Sequence, residues 1–348
     1  MKKIKQILKY IGIIIILLIV ILLIFPTWTP AIKGENSISE LEKVEINGTK
    51  HQIMIRGHDK SNPILIFVHG GPGCPEIPYV TKYQDLLEKD FTVVHYDQRG
   101  SGKSYHFFED YSNLSSELLV NDVLALTDYI SERFGKKQVV LIGHSFGTYI
   151  ALQAVNKAPD KYIAYIGIGQ MANTAQSELD SLNYCIKQAE NAKNMDDVSK
   201  LKELSNKIEK GETFTPRNYV RKYGGASRLI DDNGDYLEGF LFHPEYNLLD
   251  VVRYFRGVNI SQEALLDEAL TNPLPTLVKS LKIPCYFIMG QYDYMTSAQS
   301  AKNYFDLIDA DKKEYILYSN SAHYPQFEEK EKFAKWLISN FAKCKNIK

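Results

Sequence analysis

The sequence predicts an α/β protein with a mostly parallel central sheet and helices on both faces. Three observations carry that expectation. Apolar runs at residues 63–68, 91–96, 138–142 and 162–168 read as strands buried on both sides. Between the second and third, Leu118, Leu119, Val123, Leu126 and Ile130 recur with the period of a helix. The stretch Gly143-His144-Ser145-Phe146-Gly147 then joins a strand to a helix, the context in which G-x-S-x-G forms a sharp turn that presents a serine. Together these define an α/β-hydrolase type of chain.

The first residues form a separate unit. Lys2, Lys3, Lys5 and Lys9 precede an uncharged, apolar run from Ile11 to Phe25, bracketed by Tyr10 and Trp28. Residues 10–28 span about 28 Å as a helix, close to the thickness of a bilayer's hydrocarbon core. The expectation is an uncleaved, single-pass anchor over residues 1–30. By the positive-inside rule its lysines stay in the cytoplasm, and everything after Pro30 lies outside the cell. The competing reading is a signal peptide, cleaved to release a secreted protein. The run is long for that, and Thr29-Pro30-Ala31 is a poor cleavage site.

Residues 31–169 then hold the first part of the α/β core. Asn47-Gly48 between residues 38–46 and 50–56 signals a hairpin. The strand at 63–68 runs into His69-Gly70-Gly71-Pro72-Gly73, and the strand at 91–96 into Asp97-Gln98-Arg99-Gly100-Ser101-Gly102. A helix is expected over 114–134. The strand rhythm stops after Gly169. Residues 170–280 are charged, interrupted by Pro216, Pro244 and Gly224-Gly225, and far too long for a loop, so they read as an inserted helical cap. Strands resume at 283–289 and 314–318, and a helix over 328–342 closes the second part of the core, 281–348.

Serine acyl transfer needs a nucleophile, a base, an orienting carboxylate and two backbone N–H groups for the oxyanion. In an α/β-hydrolase they follow the chain order nucleophile, acid, histidine. Ser145 is the candidate nucleophile. Of eight histidines, His323 alone lies far downstream in a loop after a late strand; His243 falls in the cap. Asp293 directly follows the preceding strand, whereas Asp306, Asp309 and Asp311 sit in or after a helical stretch. The oxyanion donors are expected to be the N–H of Phe146 and, from the glycine loop, that of Gly71. Asp97 and Arg99 are expected to brace the loops beneath the site.

With those motifs in view, the chain resembles the proline iminopeptidase family of α/β-hydrolase serine peptidases. The likeness rests on His69-Gly-Gly-Pro-Gly73, Asp97-Gln-Arg-Gly-Ser-Gly102, the Ser145 turn, Asp293 and His323. The resemblance implies release of an N-terminal residue, preferably proline, from short peptides, without metal or organic cofactor. It also implies cap carboxylates that hold the substrate's free amine. Glu178, early in the cap, and Glu76, beside the glycine loop, are the candidates. Cys74-Pro75-Glu76 departs from the small residues with which many members continue that loop.

Composition narrows the rest. A formal net charge of −1 gives no reason to expect a nucleic-acid partner. Cys74, Cys185, Cys285 and Cys344 are scattered, without metal-site spacing, and Cys285 reads as a core residue. The expected partners are a small peptide or ester substrate and, through residues 10–28, a bilayer. An ester hydrolase on the same triad is the alternative function. A catalytically silent binding protein is a third, disfavoured by the complete Ser145, Asp293 and His323 set.

Overall fold

The computed structural model describes residues 2–344. Helix α1 (Lys2–Ile24) is followed by β1 (Ile38–Ile46), β2 (Thr49–Gly57), β3 (Ile64–Val68), β4 (Thr92–Tyr96), α2 (Ser116–Phe134), β5 (Val139–His144), α3 (Phe146–Lys157) and β6 (Tyr162–Ile168). A run of helices comes next: α4 (Thr174–Asn191), α5 (Met195–Glu209), α6 (Arg217–Lys222), α7 (Asp232–Phe242), α8 (Leu248–Thr271) and α9 (Leu274–Leu277). The chain then returns through β7 (Ser280–Leu281), β8 (Cys285–Gly290), α10 (Ala298–Leu307), β9 (Asp309–Ala310), β10 (Lys313–Tyr318), α11 (Pro325–Glu328) and α12 (Lys330–Phe341).

The main sheet has the strand order β1-β2-β4-β3-β5-β6-β8-β10. β1, β2 and β4 pair antiparallel, and from β4 through β10 all neighbours are parallel. The Asn47-Gly48 hairpin has positive φ at both residues, 48° and 78°, as a tight two-residue turn requires. β3, β4, β5 and β8 are buried at every position because both faces are covered, and most of their residues are apolar. Ile64, Ile66, Leu141 and Phe287 pack with α2, α3 and α10 on one face. Leu65, Val140, Ile166 and Ile288 pack with α12 on the other. Cys285 is fully buried in β8, and all four cysteines are free thiols.

Two boundaries differ from the sequence expectation. The second helix begins at Ser116 rather than Leu114: the Ser115 side chain accepts the Leu118 N–H and caps α2. The expected helix over 328–342 is two, α11 and α12, broken at Glu329. The carboxylates there reach back to the preceding loop, Glu328 to the Ala322 N–H and Glu329 to the Ser321 hydroxyl. The two-residue pairing of β7 with β9 was too short to give a sequence signal.

Parallel strands leave their carboxyl ends at one edge, where ligands collect in open α/β sheets. The loops after β3, β5, β8 and β10 therefore place Gly71, Ser145, Asp293 and His323 on the same side. The helices α4 to α9 lie between β6 and β8 in sequence and close over that edge. Close glycine contacts seat them. A Cβ on Gly257 of α8 would stand 2.5 Å from Gly100 O, and one on Gly239 of α7 would stand 2.4 Å from Pro78 O.

One of the tightest such contacts is inside the core. A Cβ on Gly147, in the first turn of α3, would lie 1.9 Å from Val68 O and 2.6 Å from His69 O. Intrinsic helix propensity favours Ala over Gly by about 1 kcal/mol. The steric clash outweighs this, because both opposing atoms are backbone. Gly147→Ala is therefore expected to destabilise the protein by roughly 2 kcal/mol or more, read as a lower urea midpoint. A raised midpoint would mean that α3 is free to move away from β3.

Candidate active site

Ser145 stands between β5 and α3 with φ 55° and ψ −126°. Such a conformation costs a non-glycine residue on the order of 1–3 kcal/mol, so its surroundings must enforce it. They do so through hydrogen bonds on both sides. The Ser145 N–H donates to Ile168 O at 2.9 Å, and Ser145 O accepts from the Thr148 N–H at 2.9 Å and the Thr148 hydroxyl at 2.6 Å. The small residue Gly70 lets the β3 loop approach. A Cβ there would sit 2.7 Å from the Ser145 Cβ.

The acid and the histidine meet directly. His323 Nδ1 lies 2.9 Å from Asp293 Oδ2. Asp293 is itself fixed by the N–H groups of Met295 and Thr296, which donate to Oδ1 at 3.0 and 2.9 Å, and by the Thr296 hydroxyl, which donates to Oδ2 at 3.0 Å. Both side chains are buried. Burial pulls the His323 imidazole below the usual histidine range, and the Asp293 carboxylate works against that pull. Gly169 flanks the pair, since a Cβ there would stand 2.8 Å from His323 Cε1. Ser145 and His323 line one cavity. Among the described residues, no hydrogen bond joins the serine hydroxyl to the imidazole.

Gly71 and Phe146 also converge on the serine. Gly71 and Ser145 share both cavities at the site, and Phe146 lines the smaller one. Phe146 is the first residue of α3, where backbone N–H groups have no intrahelical acceptor. Gly71 has φ 117°, which favours glycine, and it precedes a cis proline. Among the described residues, neither N–H donates to a protein acceptor.

The larger cavity measures about 500 Å³ and is walled by Tyr79, Tyr236, Tyr254 and Tyr324. The smaller holds about 50 Å³ and is lined by Met171, Leu266 and Met295. Glu76 faces the larger, and Glu178 the smaller. Their environments differ. Both oxygens of Glu178 are engaged: Arg217 donates to Oε1 at 2.5 Å and to Oε2 at 3.0 Å, and the Thr215 N–H donates to Oε2 at 2.8 Å. Glu76 Oε1 lies 2.6 Å from His144 Nδ1, while Oε2 has no hydrogen-bond partner among the described residues. Burial raises the Glu76 carboxyl pKa, but the opposing charge and hydrogen bond of His144 prevail and hold it below the usual range.

Sequence reasoning passed over several of these groups. His144 occupies a position that G-x-S-x-G leaves unspecified. Its Nδ1 meets Glu76, and its Nε2 lies 3.1 Å from His323 O. Thr296 and Arg217 carry no motif; only their neighbourhood to Asp293 and Glu178 in space marks them. Asp97 and Arg99 do brace the loops. Asp97 Oδ2 accepts from the Tyr246 hydroxyl at 2.5 Å and the Lys103 N–H at 2.7 Å, and Arg99 forks onto Asp122 with two 2.8 Å bonds.

A sheet with this strand order, a serine on a strained strand-to-helix turn and a buried Asp–His pair define the α/β-hydrolase class. The sequence profile of the α/β hydrolase fold matches residues 63–330, and the chain belongs to that family. It is an α/β-hydrolase enzyme that is similar to proteins named aminopeptidase and proline iminopeptidase. It is 32% identical to the probable aminopeptidase YbaC of Bacillus subtilis (strain 168), over 88% of this chain and 97% of that protein. It is 24% identical to the proline iminopeptidase of Saccharolobus solfataricus, over 78% of this chain and 83% of the other. Its fold superimposes on the proline iminopeptidase of Mycobacterium smegmatis with a TM-score of 0.64 at 14% identity, covering 86% of this chain and 97% of the other.

The Glu178–Arg217 pair has a consequence for stability. Glu178 is buried while Arg217 is nearly a third exposed, so solvent weakens the pair from one side only. Arg217→Met should leave a buried carboxylate without its cation and cost on the order of 2 kcal/mol. Glu178→Gln combined with Arg217→Met should recover most of that loss in a chemical-denaturation cycle. Equal stability of the single and double variants would show that the pair is not coupled.

Proposed function

We propose that the protein is a membrane-anchored serine aminopeptidase that releases an N-terminal proline, or another small residue, from short peptides outside the cell. The observation that carries the catalytic part is the buried His323–Asp293 pair, which shares a cavity with a serine on a strained turn. Asp293 holds the imidazole in the tautomer with its proton on Nδ1, leaving Nε2 free to accept. Ser145 Oγ attacks the scissile carbonyl as its proton passes to His323 Nε2. The oxyanion is received by the N–H groups of Phe146 and Gly71. His323 returns the proton to the departing amine. Water then attacks the acyl-enzyme with the same base, and Ser145 is regenerated with its proton.

Glu76 is the better placed amine acceptor. A substrate ammonium entering a partly dry cavity needs a counter-charge. Among the described residues Glu76 Oε2 has no hydrogen-bond partner and lies 4.0 Å from His95 Nδ1, whereas Arg217 already neutralises Glu178. The relatives named aminopeptidase and proline iminopeptidase support the same reading. The aromatic wall of the cavity favours a second one, an ester hydrolase that uses the same triad on apolar acyl groups.

Retention of the N-terminal segment is supported by how it is built into the fold. Thr29 is buried, and Arg56 donates to its hydroxyl and to Pro30 O, each at 2.6 Å. Lys103 Nζ donates to the Thr27 hydroxyl at 2.5 Å. Cleavage near Ala31 would take these acceptors away from two buried cations. Before them, α1 is about 34 Å long, and the apolar stretch that follows Lys9 is exposed along nearly all its length.

Ser145→Ala should abolish hydrolysis in a folded protein, and Asp293→Asn should lower kcat by a factor on the order of 10⁴. Near-normal turnover in either variant would move the chemistry elsewhere. Since burial depresses the His323 pKa, the imidazole stays neutral to a lower pH than usual. The acid limb of kcat/KM should then fall below about pH 6.5, the value for an unperturbed histidine, with activity lost as pH drops through it. A limb above neutrality would contradict this environment. Glu76→Gln should raise KM for proline arylamide and leave short aryl esters nearly untouched. Equal turnover of free-amine and N-acetylated substrates by the unmodified enzyme would sink the peptidase and leave the esterase.

A further inference from the structure

The helices covering the active site carry a second face whose composition does not suit water. On α7, Leu237 and Leu241 are four residues apart on one side, with Phe242 beside them, and all three are exposed. On α8, Leu248, Val252 and Phe255 recur at helical spacing and are also exposed. The two rows are neighbours, since Leu241, Phe242 and Leu248 line one crevice. The inner side of α7 does something else. Tyr236 and Phe240 pack on Tyr254 at 5.3 and 4.9 Å, and Asn233 and Tyr236 line the catalytic cavity.

This apolar face is continuous with the end of α1. A crevice of about 450 Å³ is lined jointly by Leu22, Phe25 and Trp28 from the N-terminal segment and by Leu241, Phe242 and Leu248 from the cap. No flexible spacer separates the two. The Trp28 N–H donates to Pro244 O at 3.1 Å, Asn247 Nδ2 donates to Phe25 O at 3.0 Å, and the Thr29 hydroxyl donates to Glu245 Oε1 at 3.0 Å. Leu22 lies in the last turn of α1. Cap residues that share a crevice with it lie level with the outer end of that helix.

We propose that the exposed α7–α8 face is a membrane-docking surface that rests on a phospholipid bilayer beside α1. The inference depends on the reading of α1 as an anchor. With the anchor in place, a bonded linker fixes the orientation of the catalytic domain, and Leu237, Leu241, Phe242, Leu248, Val252 and Phe255 enter the interfacial region. Amphipathic helices bind there by burying their apolar side chains at the boundary between headgroups and acyl chains. Clustered exposed apolar side chains are otherwise a solubility liability. The arrangement leaves α7 as the partition between the lipid surface and the substrate cavity.

The test is photolabelling of the full chain in phosphatidylcholine vesicles that contain a phosphatidylcholine with a photoreactive group high on one acyl chain. Adducts are mapped by mass spectrometry. The expected result is labelling of α1 together with residues 237–255, and none on α5. Labelling of α1 alone would overturn the docking surface and leave the anchor standing. Absence of label from α1 as well would overturn both. Leu241→Asp combined with Phe242→Asp alters only exposed side chains, so the fold should tolerate it. This variant should lose the cap adducts, keep those on α1 and retain hydrolysis in detergent. Undiminished cap labelling in the variant would equally overturn the proposal.

Discussion

Ser145 keeps its positive φ because the backbone around it has no room to relax. β5 delivers the chain into the turn and α3 leaves it at once, with Gly147 against the carbonyls that end β3. A Cβ on Gly143 would stand 2.7 Å from the Thr148 Cα, so the two sides of the turn are in contact as well. The glycine loop that begins at His69 follows β3 directly. The crowding that strains the serine therefore also brings the Gly70–Gly71 backbone beside it. A conformation costing a few kcal/mol is sustained by a sheet whose central strands are buried on both faces.

A second constraint ties the cap to that core. Lys103 is buried, and its Nζ meets Glu245 O at 2.9 Å and Asp250 Oδ2 at 3.7 Å as well as Thr27. Asp97 lies beneath it and accepts from Tyr246. Burial pushes the Asp97 carboxyl up to about 7, with the Tyr246 hydroxyl and the Lys103 N–H opposing that shift. Burial likewise lowers the Lys103 ammonium, against the pull of Asp250 and Asp97. Each of these groups would be costly alone and is tolerable only as a network. The loop after β4, the start of α8 and the segment after α1 thus share one set of polar contacts. Movement of one without the others would strand a charge.

Most of the sheet could be read from the sequence because burial on both faces demands unbroken apolar runs. Residues 162–168, read as a strand, are β6 to the residue. Chain order and loop position singled out Asp293 and His323, and the structure places them in contact. What could not be read is what depends on distant pairs. Glu76 meets His144 across 68 residues, and Glu178 meets Arg217 across 39, without a local pattern to announce either. The cap defeated periodicity for a physical reason. Its helices are wet on one side, packed on another and, along α7, exposed at Leu237 and Leu241, where a soluble helix would carry charge.

That misfit follows from a helix with two apolar contacts to make. One side of α7 walls the cavity beside Ser145 with Tyr236, and Gly239 is pressed onto the loop that carries Glu76 and Pro78. The other side continues the surface begun by Leu22 and Phe25. Lys82 clamps the helix by donating to Asp235 at 2.8 Å and to Glu238 at 2.7 Å, and Tyr83 donates to Asp235 at 2.5 Å. The clamp holds the polar edge of α7 against the core. The helix cannot turn its leucines inward without breaking the ion pairs or opening the cavity. Cavity wall and outer face are thereby fixed relative to each other by a single short helix.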